Sequence, residues 1–396
     1  MKRIALIAHT ANAYGANHCL VELASMLKTA GHLPHVFIPE AGPIEALLKK
    51  TDTPYSIVSI PPWASLPWEL SDSFMKQAYG TFRWKISRLK SLLSLRSHAR
   101  ALSSHLKKHT IDLVWSNSVM TPIGAMASKQ CSLPHIWNLR EFGDLDFGYK
   151  FDLGLGLTRR FLKKSGATIA MSHAIARHFK LDNGKEDSTH TVIYDGLFFE
   201  KELLTKPSSK PANSEKFEFI LTGALCKGKG QTEAIHALRI VMRSFPETHL
   251  HLVGDGDMRE LKHLTDNFGL NKNITFWGYQ EDVSQHIAKA NAGLMCSRNE
   301  GFGRVTVEYM AAGIPVIGYN GGATPEIIES GKTGLLYSGG CEQLADCMLR
   351  LIKDPDLAQS LGDAGQQSIR ERFTFEQSTP RLLAFLETSL GNNPRH

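Results

Sequence analysis

The 396-residue chain lacks several features that would assign it to a common class of protein. No apolar run approaches the ~20 residues that a membrane-spanning helix needs. The six cysteines form no Cys-x-x-Cys pair and have no metal-like spacing with histidine, so we expect reduced, mostly buried thiols in a cytosolic protein. No Gly-x-Gly-x-x-Gly follows the opening strand, which counts against a nicotinamide enzyme. Residues 1–15 predict a strand and a glycine-containing loop rather than a signal peptide.

Length and pattern indicate two α/β domains. A chain of this length is too long for one core and fits two domains of roughly 150–200 residues. Strand patterns alternate with helical ones such as 19–29 and 232–244, which predicts parallel sheets with ligands bound outside the carboxyl ends of the strands. The predicted short buried strands are 4–8, 35–39, 113–116, 168–171, 191–194, 219–222, 249–253, 293–296 and 315–318.

The most informative stretch is residues 299–318, NEGFGRVTVEYMAAGIPVIG. Gly301 and Gly303 suit a loop that comes close to a ligand, and the pattern predicts a helix over 305–312. The start of such a helix can hold a phosphate, because its first N–H groups lack internal partners. Glu300 would lie in the loop and Glu308 about two turns along the helix, where carboxylates can accept hydrogen bonds from sugar or ribose hydroxyls. Together these groups predict a nucleotide-sugar site; the alternative is a helix cap and an ordinary surface glutamate.

A second loop follows the strand predicted over 219–222. Gly223 allows a tight turn there, while Lys227, Lys229 and Gly230 supply cations and an approachable backbone. A placed ammonium stabilises the diphosphate that leaves when a nucleotide sugar transfers its sugar. A solvated basic loop is the competing interpretation. Gly254, in the turn after the strand predicted over 249–253, is a further candidate for donor contact, or a turn glycine only.

The spacing of Glu300 and Glu308 resembles the Glu-x7-Glu signature of the retaining family 4 glycosyltransferases. Four further blocks follow that family's order, at 221–238, 250–261, 274–283 and 315–337, while 1–32 and 167–179 match more loosely. The resemblance implies a GT-B architecture of two facing Rossmann-like domains with a cleft between them. It also implies that Glu300 contacts the transferred sugar and Glu308 the ribose. The family has an arginine where this chain has Ala224, a departure that Lys227 would offset only as a point charge.

Carried onto this chain, the resemblance gives Glu300 and Lys229 catalytic roles, with no metal and no cofactor beyond the nucleoside-diphosphate sugar. The donor-binding set that it implies is Gly15, Gly223, Lys227, Lys229, Gly254, Glu300, Gly301, Phe302, Gly303, Arg304, Val305 and Glu308. In the first half, Asn138, Arg140 and Glu141 are candidates for the acceptor side; a buried structural ion pair is the alternative for the last two. Ser172 and His173 are weaker candidates at the end of another strand.

Basic residues are concentrated in 73–110, which contains no acidic residue. An apolar stripe runs through it, formed by Leu92, Leu95, Ala99, Leu102 and Leu106. Basic helices with nearby aromatics can rest on an anionic membrane surface. The alternatives are a core helix with a solvated basic outer face, or another polyanion; no motif for binding nucleic acid accompanies the patch.

The sequence thus predicts a retaining glycosyltransferase that moves a sugar from a nucleoside-diphosphate donor to a hydroxyl of a glycan or lipid-linked acceptor, in the synthesis of a surface polysaccharide. We expect it in the cytoplasm or peripherally at the inner face of the membrane. The expected parts are an acceptor-side domain (1–204), a linker (205–216), a donor domain (217–370) and a final helix that returns to the first domain (371–396). Two alternatives remain, a non-catalytic nucleotide-sugar-binding relative and a GT-B sugar-nucleotide epimerase.

Overall fold

The computed structural model describes residues 1–13, 15–67, 74–181, 189–204 and 216–391. The described chain forms two compact units. The first unit comprises residues 1–193 together with the chain from 379 onward, and the second comprises 194–378. Most of the predicted linker, residues 205–215, lies outside the described residues.

The first unit is built on a parallel sheet of seven strands, in the order β3-β2-β1-β5-β6-β8-β9. Its strands, with the short antiparallel pair β4–β7, are β1 (Arg3–Ile7), β2 (Leu33–Ile38), β3 (Tyr55–Ile57), β4 (Ala64–Ser65), β5 (Leu113–Ser116), β6 (His135–Leu139), β7 (Lys150–Phe151), β8 (Ala167–Ala170) and β9 (His190–Val192). Its helices are α1 (Gly15–Thr29), α2 (Ile44–Lys50), α3 (Phe74–Lys108), α4 (Ile123–Gln130), α5 (Asp144–Phe147), α6 (Gly154–Lys164) and α7 (His173–His178).

The central strands of this sheet are buried along their length because helices cover both of its faces. All four residues of β5 and all five of β6 are buried. One core cluster includes Leu20 of α1 on one face, and another includes Leu102 of α3 on the other. The stripe predicted for 92–106 therefore belongs to the core, since Leu95, Ala99, Leu102 and Leu106 are each at most 6% exposed.

The second unit is built on a parallel sheet of six strands, in the order β12-β11-β10-β13-β14-β15. Those strands are β10 (Glu218–Thr222), β11 (His249–Val253), β12 (Ile274–Gly278), β13 (Ala292–Met295), β14 (Val316–Tyr319) and β15 (Leu335–Tyr337). The helices are α8 (Glu200–Leu204), α9 (Gln231–Val241), α10 (Arg259–Phe268), α11 (Ser284–Lys289), α12 (Arg304–Ala311), α13 (Thr324–Ile327), α14 (Gly340–Lys353) and α15 (Pro355–Arg372), with a short 3₁₀ turn at Lys227–Lys229.

Helix α16 (Phe375–Gly391) begins in the second unit and continues into the first. Its Phe385 and Leu386 lie in the core cluster that also contains Leu20. The preceding helix α15 begins at a well-formed cap, because the Asp354 carboxylate accepts a hydrogen bond from the Leu357 N–H at 2.9 Å and Pro355 fills the first helical position.

The predicted class, α/β with parallel sheets in two Rossmann-like domains, is confirmed. Each strand predicted from the sequence is present, with both ends at most two residues from the predicted ones. The helix predicted over 305–312 occupies Arg304–Ala311. None of the helices in the described residues combines the length and the apolar composition that a membrane span requires.

Candidate functional site

The second sheet changes direction between β10 and β13, which are hydrogen-bonded neighbours in it. The chain leaves β10 toward β11 and β12 on one side, and it leaves β13 toward β14 and β15 on the other. Loops that leave the carboxyl ends of two such strands diverge and open a crevice, the usual ligand position in open α/β sheets. We call the two loops at this point, 223–230 and 296–303, the second-unit edge.

Lys229 and Glu300 meet at the second-unit edge, although 71 residues separate them in the chain. Lys229 Nζ donates to Glu300 Oε2 at 2.7 Å, and the two side chains are 31% and 17% exposed. Both of the residues assigned catalytic roles from the sequence are therefore in direct contact and within reach of solvent. The ammonium carries three N–H donors, so it can hold Glu300 and an anionic ligand oxygen at the same time.

The loop that carries Lys229 is fixed by close backbone packing. The Gly223 N–H donates to Val253 O at 2.9 Å, and the Leu225 N–H donates to Asp255 O at 2.7 Å. Gly254 has φ of 150°, and a Cβ there would collide with the carbonyl oxygen of Gly223. Gly254 is thus required by the packing of one turn against the other, and its contact with the donor stays a prediction.

Gly230 joins the same loop to α9. It has φ of 77°, and a Cβ added to it would lie 2.5 Å from the Cβ of Cys296 at the end of β13. Only glycine fits a left-handed position pressed against another backbone. Lys227 lies on the exposed outer part of the loop, whereas Lys229 is half-buried and turned to Glu300.

Glu300 itself is held by a loop that was not assigned a role from the sequence. The Ala323 N–H donates to Glu300 O at 2.8 Å, and Gly322 lies so close that a Cβ on it would be 2.6 Å from the Glu300 nitrogen. The signal was present in the Gly321-Gly322 pair, because a pair of glycines after a buried strand marks a close backbone approach.

Helix α12 begins directly after the loop 296–303, which carries Glu300. Gly303 precedes it in the left-handed conformation, with φ of 92°, and no side chain caps the helix start. Arg304, Val305 and Glu308 are half-buried. Tyr309, next to Glu308, is fully buried and its hydroxyl accepts a hydrogen bond from the Thr222 N–H at 2.7 Å, so the helix is tied to the end of β10. Burial raises the pKa of this tyrosine, which keeps its hydroxyl neutral.

Gly301 and Phe302 are buried in the same turn. The Phe302 ring is 2% exposed and stacks on Tyr194 at a centroid distance of 6.0 Å, with Phe373 at 5.8 Å. Its side chain anchors the loop to the core of the second unit. Any contact of Phe302 with a ligand would therefore come from its backbone.

Ala224 is exposed, and its backbone carbonyl accepts a hydrogen bond from the Gln231 side chain at 2.9 Å. The loop therefore closes onto the start of α9 without the arginine expected at this position. Among the described residues, no group of three or more histidine, cysteine or acidic side chains has the geometry to hold a metal ion.

The first sheet changes direction between β1 and β5. We call the loops near that point, 8–13, 117–120 and 138–141, the first-unit edge. Asn138 is 7% exposed and donates to Asn117 Oδ1 at 3.2 Å, and Asn117 donates to Ala16 O at 2.8 Å. Asn138 is thus part of a buried hydrogen-bond chain that reaches α1.

Glu141 is also buried, and its partners are in the loop after β5. Its carboxylate accepts from the Ser118 hydroxyl and, at 2.9 Å, from the Val119 N–H. Burial raises the pKa of Glu141, while these hydrogen bonds and Arg140 oppose the rise. Glu141 therefore holds the 117–120 loop in place.

His9 is a residue of the first-unit edge that the sequence did not single out. Its Nδ1 is buried and has no hydrogen-bond partner among the described residues. Burial and, to a smaller extent, the nearby Arg140 guanidinium lower the pKa of His9 to about 4, so the ring is neutral at pH 7. A polar residue immediately after a buried strand in an α/β sheet was the available signal.

The remaining candidates of the first unit have simpler settings. Gly15 is exposed at the first position of α1. Ser172 is buried and caps α7, because its hydroxyl accepts from the Ile175 N–H at 3.2 Å. His173, next to it, is exposed.

Two models of known protein families match the chain, one in each half. The model described as Glycosyltransferase Family 4 matches residues 13–198, and the model described as Glycosyl transferases group 1 matches residues 205–368. The chain is 29% identical over 227 residues to the N-acetyl-alpha-D-glucosaminyl L-malate synthase of Bacillus anthracis, a match that covers 56% of this chain and 59% of that protein.

A longer match joins the chain to a GDP-mannose-dependent monoacylated alpha-(1-6)-phosphatidylinositol monomannoside mannosyltransferase of Corynebacterium glutamicum, at 26% identity over 380 residues, covering 89% of this chain and 96% of that protein. The solved structure of Anabaena HepE with UDP and glucose superposes with a TM-score of 0.76 at 20% identity, over 98% of this chain and all of that one. The fold is thus shared with GT-B glycosyltransferases, and with both family models matched in order along its length, the chain belongs to the family 4 glycosyltransferases.

Proposed function

We propose that this protein is a retaining glycosyltransferase that takes a sugar from a nucleoside-diphosphate sugar and transfers it to a hydroxyl of a glycan or lipid-linked acceptor. The observation that carries the proposal is the 2.7 Å pair of Lys229 and Glu300 at the second-unit edge. A cation and a carboxylate side by side suit a donor whose diphosphate is anionic and whose sugar presents hydroxyl donors. The names of relatives that use GDP-mannose, and of a neighbour solved with UDP, support a nucleotide-sugar donor.

In the proposed reaction, the bond from the anomeric carbon to the diphosphate oxygen breaks and a bond to the acceptor oxygen forms on the same face of the sugar. The proton of the acceptor hydroxyl passes to the departing phosphate. Lys229 and the start of α12 stabilise the charge that grows on the leaving group, so no resident metal or cofactor is part of the proposal. Glu300 accepts hydrogen bonds from hydroxyls of the transferred sugar, and Glu308 does so from the ribose.

The acceptor side is proposed to belong to the first unit. Arg140 and His9 lie close together at this edge, beside the Asn117–Asn138 and Ser118–Glu141 hydrogen bonds. A neutral His9 can accept a hydrogen bond from a hydroxyl through Nδ1. Relatives named for phosphatidylinositol mannosides and for a lipopolysaccharide core favour a glycan or a lipid-linked acceptor, in surface-glycan synthesis on the cytoplasmic side of the membrane.

A thermal-shift experiment tests the donor site. We expect one of UDP, GDP, ADP or CMP at ~100 times its dissociation constant to raise the unfolding free energy by about 2.7 kcal/mol. Glu308→Ala should abolish this rise, while Glu260→Ala, a matched change on the exposed surface of α10, should keep it. If none of the nucleotides stabilises the wild type, the donor assignment is wrong.

Product analysis then tests the reaction. The nucleotide sugar with the selected base is incubated with membrane glycolipid extract, and the anomeric configuration of the new linkage is determined by NMR. A new glycosidic bond with the configuration of the donor is the expected result. A nucleotide sugar epimerised without acceptor would indicate an epimerase instead, and nucleotide binding without any product would indicate a non-catalytic relative.

A further inference from the structure

Helix α3 has two apolar faces. One is the buried face described above, which includes Leu95 and Leu102. The other consists of four side chains that are each between 39% and 73% exposed: Phe82, Ile86, Leu89 and Leu93. Their spacing of four, three and four residues places them on one side of the helix. We call these four residues the exposed stripe.

Hydrogen bonds on the buried side of α3 fix its rotation. Arg88 Nε donates to Asp152 Oδ1 at 2.6 Å, and the Asp152 side chain is fully buried. Arg88 also reaches Pro62 O at 3.0 Å, and the Trp84 indole donates to Leu66 O at 2.9 Å. Because these contacts and the buried leucines hold the helix, it cannot rotate to bury the exposed stripe within the first unit.

Other exposed apolar side chains lie next to this part of α3. Leu66 is 58% exposed and is the residue whose carbonyl binds Trp84. Leu153 directly follows Asp152, and Leu157 lies one turn further along α6; both are exposed. The exposed stripe is itself a run of four large apolar side chains on one helix face, and such a run marks an interaction surface rather than scattered surface residues.

The charge around the stripe indicates what covers it. Lys85 and Lys90 flank the stripe on its two sides at helical spacing, and Arg96 and Arg100 follow along the helix; all four are exposed. No acidic residue occurs from 73 to 110.

We propose that this face of the first unit docks on an anionic lipid bilayer, with the exposed stripe inserted at the interface and the flanking lysines bound to headgroup phosphates. An apolar stripe bordered by cations on both sides matches the interface, where acyl chains lie beneath anionic headgroups. Docking is independent of the donor chemistry. It deepens the proposed function in one respect, because it would bring the enzyme to a lipid-linked acceptor.

Vesicle sedimentation of the full chain tests the docking face. Vesicles of phosphatidylcholine with phosphatidylglycerol should bind the protein at low salt, and vesicles of phosphatidylcholine alone should bind it much less. Leu89→Glu should lower the partition coefficient ~100-fold or more, because it removes an inserted side chain and adds a negative charge. Ser87→Glu, an exposed residue of the same helix outside the stripe, adds the same charge and should lower it only ~5-fold.

Equal losses in Leu89→Glu and Ser87→Glu would overturn insertion of the stripe, since charge alone would then account for binding. No binding of the wild type to the mixed vesicles, or equal binding to both kinds of vesicle, would also overturn the proposal. The nucleotide thermal shift is measured on the same variants. If vesicle binding fails while that shift persists, the docking face is wrong and the donor site stands. If the shift is absent while vesicle binding persists, the donor site is wrong and the docking face stands.

Discussion

The two sheets have the same kind of reversal point, but the side chains at the two edges are used differently. At the second-unit edge, Lys229 and Glu300 pair with each other and are 31% and 17% exposed. At the first-unit edge, Asn117, Asn138 and Glu141 are each at most 7% exposed and bind one another's loops. Partly exposed ion pairs contribute little to stability, whereas buried hydrogen-bonded groups are costly to remove. The comparison predicts that mutations at the second edge impair activity, and that mutations at the first edge impair folding.

Lys229→Ala should give the largest effect on activity. Removing the cation from the leaving diphosphate should lower kcat ~100- to 1000-fold, a loss typical of one preorganised electrostatic group. The unfolding free energy should change by no more than about 1 kcal/mol, because the pair is partly exposed. Transfer rates are measured with the nucleotide sugar selected by thermal shift, together with urea unfolding.

Lys227→Ala is the matched control for this prediction, because it removes the same charge from the exposed part of the same loop. It should retain most of the activity. If both variants lose activity equally, the loop acts as a diffuse cationic surface and Lys229 has no special position.

Gly254→Ala should give the largest loss of stability in the second unit. An alanine at φ of 150° would be strained and would collide with Gly223 O, so we expect a loss of at least ~3 kcal/mol of unfolding free energy. Gly269→Ala is the control; Gly269 also has positive φ, 67°, but open space around it, and its change should cost about 1 kcal/mol. Similar losses in both variants would show that backbone strain alone decides the outcome.

Glu141→Ala tests the first-unit edge. The variant leaves the buried Ser118 hydroxyl and Val119 N–H without their acceptor, so we expect a loss of about 2–3 kcal/mol of unfolding free energy, measured by urea titration. At a temperature where the variant is folded, its KM values for donor and for acceptor should be close to those of the wild type. A variant with normal stability and a raised KM would make Glu141 a ligand group instead.

The difference between the edges also explains what the sequence could predict. Glu300, Glu308 and the glycines between them lie in one contiguous stretch, so their loop and helix could be predicted with bounds one residue from the observed ones. The contact between Lys229 and Glu300 could not be predicted without the order of the strands in the sheet. β10 and β13 become neighbours only because β11 and β12 lie on the other side of β10. His9, Asn117 and Glu141 come from three different strand ends, and no local spacing places them at the same edge.

His9 provides a smaller test through pH. Its folded pKa, about 4, is below its ordinary value of 6.5, so the unfolded chain binds more protons between these values and stability must fall as pH falls from 6.5 to 4. Over this range, we expect the unfolding free energy of His9→Gln to fall by about 2 kcal/mol less than that of the wild type. The value is discounted because His9 is only half-buried. Unfolding free energies at pH 7 and pH 4.5 check this, and parallel pH profiles for the two proteins would contradict it.

Ala224→Arg is the smallest change and addresses the departure from the family pattern directly. Position 224 is exposed and contributes its backbone carbonyl to the loop, so an arginine should be accepted with a stability change within about 0.5 kcal/mol. A guanidinium can bind a diphosphate through two parallel hydrogen bonds, which a lysine cannot do, and we expect the nucleoside diphosphate to bind up to ~10-fold more tightly. Isothermal titration of the nucleoside diphosphate into the wild type, Ala224→Arg and Ala224→Gln separates the effect of the added charge from that of the larger side chain. If neither variant changes the affinity for the nucleoside diphosphate, the diphosphate does not contact position 224. The cationic role at the second-unit edge then belongs to Lys229 and the start of α12 alone.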